Sequence, residues 1–82
     1  MIAEFYGKAN GSNSGLAGSQ ELSYTKNNFF SGAILAGAVS IALGTALALQ
    51  MNQKNSRVVV AGFGEAAADE GIFWESVNYA GL

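Results

Sequence analysis

The chain has 82 residues, 50% hydrophobic and 12% charged, with no Cys, no His, no Pro and a formal net charge of −2. One small domain at most fits this length, and the missing residues exclude disulfides, the commonest zinc ligands, thiol redox chemistry and any nucleophile paired with an imidazole. The acidic balance offers no field for nucleic-acid phosphates, so neither a nucleic-acid partner nor an enzyme is expected.

The first 28 residues read as an extramembrane arm. Ile2, Phe5 and Tyr6 form a short apolar cluster. Phe5 and Tyr6 are candidate contacts to an interface or another subunit. Residues 9–19, ANGSNSGLAGS, read as a flexible linker, because Gly, Ser and Asn leave too much conformational entropy for isolated order.

Residues 29–51, FFSGAILAGAVSIALGTALALQM, carry no charge. As a helix they would reach roughly 34 Å, slightly more than the ~30 Å hydrocarbon core of a bilayer. The sequence therefore predicts a mainly α protein built on one long transmembrane-type helix over residues 28–53. Asn28 would be its N-cap, with Lys54 and Arg57 favourable beyond its C-terminus. Its strongly apolar side chains contribute about −3 to −5 kcal/mol to insertion, opposed by Gly, Ser, Thr and Gln.

Two other readings of the run fit less well. A buried helix of a globular protein would need more apolar wrapping than the rest of the chain offers. A signal peptide cleaved after the A-x-A triplet at 46–48 would have too long a leader. The domain reading is thus an N-terminal arm at 1–28, a single span at 29–51 and a C-terminal tail at 52–82. Lys26 on one side against Lys54 and Arg57 on the other weakly favours a single-pass membrane protein with its N-terminus out and C-terminus in.

Within the run, Gly32, Ala36, Ser40, Gly44 and Ala48 recur at i, i+4. Such a ladder of small residues lets two helix backbones approach closely, and it is the candidate helix-packing face. Ser40 and Thr45 are expected to bond back to carbonyls four residues earlier.

The C-terminal segment begins with β-prone Val58, Val59 and Val60, followed by Gly62, Gly64 and an acidic stretch suited to one or two helical turns. Gly62, Gly64 and Ala67 mimic a G-x-G-x-x-A nucleotide fingerprint. The match fails because too few residues follow to complete a βαβ unit. Glu65, Asp69 and Glu70 lack the alternating oxygen ligands of a calcium loop and read as a solvated acidic face, so no metal site is expected. Phe73, Trp74 and Tyr79 are candidate interfacial or subunit contacts in a short irregular or helical tail.

These features together predict a non-enzymatic, single-pass subunit that packs onto a larger respiratory, photosynthetic or transport complex and stabilises it. Its partners would be the membrane and other membrane-protein subunits or copies of itself. No catalytic residue and no cofactor are assigned, although bound lipid or pigment would be compatible, with Asn27, Asn28 or Gln50 as available polar ligands. The second reading is a repeating filament subunit of pilus or phage-coat type, whose single-helix architecture the chain resembles. The net charge of −2 over residues 52–82, from Lys54 and Arg57 against Glu65, Asp69, Glu70 and Glu75, disfavours a DNA-lining coat.

Overall fold

A computed structural model describes residues 1–18, 20–54 and 56–82, which fall into two compact units, Met1–Ala33 and Ile34–Leu82. The first unit opens with a single helical turn, α1 (Ile2–Phe5), and continues through linked turns to a two-stranded antiparallel hairpin. Its strands β1 (Ser23–Tyr24) and β2 (Phe29–Phe30) pair Ser23 with Phe30 and Tyr24 with Phe29. A 3-10 turn at Thr25–Asn27 joins them, ending at Asn28 in the left-handed region (φ 51). Asn tolerates that conformation better than other residues with a side chain. Asn28 therefore closes a hairpin turn and does not cap a long helix.

The second unit is built on α2 (Gly37–Met51) and α3 (Gly71–Ala80), with a 3-10 turn at Glu65–Asp69 ahead of α3. Val39, Ala42, Leu43 and Ala46 recur at helical spacing on α2. With Ser76, Val77 and Ala80 of α3 and Val59 of the connecting segment, they line an apolar cavity of about 200 Å³. Both helices thus turn small and branched side chains toward one another. Ser76 is buried there with its hydroxyl satisfied, because it donates to the Ile72 carbonyl at 2.7 Å.

The expected fold class, a long membrane-type helix with a flexible arm, is overturned. Among the described residues no helix is long and apolar enough to cross a membrane. α2 has 15 residues, or about 22 Å at ~1.5 Å per residue, short of the ~30 Å hydrocarbon core. The apolar run is cut because its first third has other uses. Phe29 and Phe30 are aromatic and β-prone, and they pair with Tyr24 and Ser23. Ala36 stands just before α2 with φ 59, a left-handed value that an entering helix cannot continue through.

Candidate functional site

The most elaborate polar structure in the chain surrounds Glu4, which is only 2% exposed. Its Oε2 accepts the backbone N–H of Asn13 at 2.7 Å and of Gly15 at 3.0 Å, and its Oε1 accepts that of Ala17 at 2.9 Å. The Ala17 N–H does most to hold the Glu4 carboxyl below its ordinary range. Burial opposes it, and the Asn13, Gly15 and Leu16 backbone adds to the lowering.

Residues 9–18 are therefore hydrogen-bonded turns around a carboxylate. Ser14 and Gly15 are both left-handed, with φ 56 and 75, which turns neighbouring N–H groups toward one point. The glycines allow the approach. A Cβ on Gly15 would lie 2.5 Å from the Gly7 carbonyl carbon, and one on Gly11 would lie 2.9 Å from the Glu4 Cα.

A second layer ties this loop to the hairpin. Asn13 donates from Nδ2 to the Glu21 carbonyl at 3.3 Å and accepts the Ser23 hydroxyl at 2.8 Å. The Ser31 hydroxyl donates to the Gln20 carbonyl at 2.6 Å and accepts the Leu22 N–H at 3.3 Å, while Glu21 Oε1 accepts the Ala33 N–H at 2.8 Å. Among the described residues of this unit, Leu22 is the buried large apolar one. Polar contacts carry most of its order.

In the second unit the chemically varied stretch is the acidic turn. Gly64 is extended, Glu65–Asp69 winds as a 3-10 helix, and Glu70 returns to extended backbone before α3 begins. Ala67 at its centre is 1% exposed and anchors the turn, whereas Glu65, Asp69 and Glu70 are exposed. Phe63 and Phe73 flank this turn, with ring centroids 4.9 Å apart, and Trp74 meets Phe73 edge-on at 5.3 Å. Among the described residues no cluster of acidic side chains is arranged to hold a metal ion.

The residues singled out from sequence are distributed as follows. Of the small-residue ladder, Ser40, Gly44 and Ala48 lie on α2. Ala36 is buried just ahead of it, and Gly32 belongs to the first unit. Among the described residues, nothing beyond α2's own neighbouring backbone lies within 4 Å of a Cβ built on Gly44. Thr45 bonds back to the Ile41 carbonyl four residues earlier, as expected, whereas Ser40 bonds to the Gly37 carbonyl three residues earlier. Phe5 and Tyr6 are exposed in the first unit, while Trp74 and Tyr79 are exposed on α3 and Phe73 is half-buried in the aromatic trio. Sequence reasoning passed over Glu4. The available signal was a lone carboxylate close to a run of small residues whose backbone N–H groups need acceptors.

Residues 1–82 match the family model described as "Dehydrogenase E1 component", and the chain belongs to that family. It is similar to the pyruvate dehydrogenase E1 component subunit alpha of Rhizobium meliloti (strain 1021), 35% identical over 83 residues that cover 100% of this chain and 24% of the relative. The mitochondrial subunit alpha of Sminthopsis macroura is 32% identical over 82 residues, covering 100% of this chain and 22% of that protein. The somatic mitochondrial form of Macaca fascicularis is 34% identical, with 100% and 20% covered. The chain thus spans about a fifth to a quarter of the length of these relatives. No solved structure matches it.

Family membership overturns the reading as a membrane-complex subunit or filament protein, together with the non-enzymatic assignment. Membrane partners and single-pass membrane localisation fall with it, since these relatives are subunits of a dehydrogenase component and α2 is too short to span. An all-round apolar helix marks either a membrane span or the interior of a large protein, and the rest of this chain is too small to reveal the second case.

Proposed function

We propose that this chain works as part of the alpha subunit of a pyruvate dehydrogenase E1 component, acting on pyruvate together with a companion subunit. The observation that carries this reading is identity of 32–35% to subunit alpha proteins along the whole of the chain. Within that assembly the chain's contribution is structural at α2 and chemical at the acidic turn. Glu65, Asp69 and Glu70 offer exposed carboxylates on and just after a 3-10 turn whose centre, Ala67, is buried, with the Phe63–Phe73 ring pair beside it. Proton transfer through an imidazole or a thiol has to come from outside these residues, which contain neither.

The small-residue face is part of the same proposal. Half-buried Val39 and Leu43 of α2 line the cavity shared with α3, while Gly44 and Ala48 remain exposed. An uncharged helix with no polar side belongs in the interior of a larger body, so Ser40, Gly44 and Ala48 would receive a closely packed apolar element of the assembled enzyme. Phe5, Tyr6, Trp74 and Tyr79 would make further contacts there, with Phe73 holding the Trp74 ring in place. The domain roles shift accordingly, from arm, span and tail to a polar loop unit and a helix-pair unit.

The test is purification of the tagged chain from its native host, followed by identification of stoichiometric companions and assay of pyruvate-dependent activity. Co-purifying activity with a second E1 subunit is expected. A chain that purifies alone, or with no pyruvate-dependent turnover, contradicts the proposal.

A further inference from the structure

We infer that the backbone of residues 13–17 is a preformed carboxylate-binding nest whose occupant is Glu4, and that a free small carboxylate takes its place when the side chain is removed. The three N–H groups come from alternate residues, Asn13, Gly15 and Ala17, and converge on one carboxylate at 2.7–3.0 Å. Their convergence follows from the backbone, with consecutive left-handed residues at Ser14 and Gly15. It is independently supported by turn bonds that do not involve Glu4: Gly11 N–H to the Lys8 carbonyl at 2.9 Å, Ser14 to Gly11 at 3.2 Å and Leu16 to Asn13 at 3.0 Å. Asn13 is also fixed from the other side by Ser23 and the Glu21 carbonyl.

No charged side chain occurs in residues 9–18, so the anion is held by backbone dipoles rather than by a cation. The nearest charges along the chain are Lys8 beyond α1 and Glu21 ahead of β1, and the Glu21 carboxylate is engaged with the Ala33 N–H. A nest of this kind is selective for an anion with two oxygens. Acetate matches the atoms lost in Glu4→Ala, whereas acetamide has the same shape without the charge.

The experiment is residue-resolved amide hydrogen exchange on the full chain. In Glu4→Ala, protection at Asn13, Gly15 and Ala17 is expected to fall by about tenfold or more, while the α2 amides keep theirs. Added acetate should restore protection at those three amides with saturation, and acetamide at equal concentration should not. Parental protection in Glu4→Ala, or equal recovery with acetamide, overturns the inference, as does absence of recovery with acetate when the hairpin amides remain protected. If Glu4→Ala loses the whole first unit, Glu4→Gln decides. This variant fills the site without charge, and it should weaken the three amides and resist acetate. Unchanged protection there overturns the inference.

Discussion

The two units keep their shape by opposite means. In Met1–Ala33 a buried carboxylate and a chain of side-chain hydrogen bonds organise turns around one another, with Leu22 as the buried large apolar side chain. In Ile34–Leu82 two helices meet through Val39, Leu43, Val77 and their neighbours, and the buried polar side chain among the described residues, Ser76, bonds within its own helix. The comparison shows how a short chain poor in both charge and large buried side chains still acquires definite structure. Where residues are too small to make a core, backbone N–H groups gather on an acceptor. Where they are apolar and helix-forming, they gather on each other.

Substitution should separate the two. Gly15→Val should have the largest effect. It combines a β-branched residue at φ 75 with a Cβ pressed into the Gly7 carbonyl, and is expected to destabilise the first unit by about 3 kcal/mol or more. Loss of hairpin and loop amide protection with intact α2 protection is the outcome to look for, and a matching loss in α2 would break the comparison. Leu43→Ala should act in the reverse place. This half-buried side chain lines the cavity between α2 and α3, so roughly 1–2 kcal/mol should be lost from the second unit alone, read from helical circular dichroism on heating.

Smaller effects sharpen the contrast. Gly44→Ala should stabilise α2 by about 0.5–1 kcal/mol, since the added Cβ meets open space and alanine is the better helix former. Gly44→Ile should leave the chain folded yet weaken its assembly with the proposed companion subunit. Undiminished co-purification of that variant would remove the small-residue face from the account.

Some of this was legible in the sequence, for reasons that can be named. The heart of the apolar run is helical because Ala and Leu favour helix and outweigh Gly44 and the β-branched Val39, Ile41 and Thr45 between Gly37 and Met51. The ends were misread because a hydropathy run does not record pairing. Phe29 and Phe30 pair with Tyr24 and Ser23 in a hairpin and do not extend α2. The linker reading of residues 9–19 failed over its described part because flexibility of Gly, Ser and Asn is also what lets a backbone wrap an anion. Glu4 was invisible as a site because its partners are backbone amides, which every sequence contains. Membership in a dehydrogenase family could not be read from composition, since this stretch carries no imidazole or thiol to betray it.

The difference between the units also has a sign in pH. The folded Glu4 carboxyl titrates below its ordinary range, so its contribution is present above the unfolded value of about 4.3 and is lost as pH falls through the lower, folded value. The second unit has no comparable buried carboxylate among the described residues. An NMR titration of the parental chain, following the Glu4 carboxyl carbon and the amides of Asn13, Gly15 and Ala17, tests the central contrast most directly. The account predicts that all four signals move together in one step below the ordinary glutamate range, while the α2 amides do not respond. A Glu4 carboxyl that titrates at or above that range, with the three amides unmoved, would contradict it.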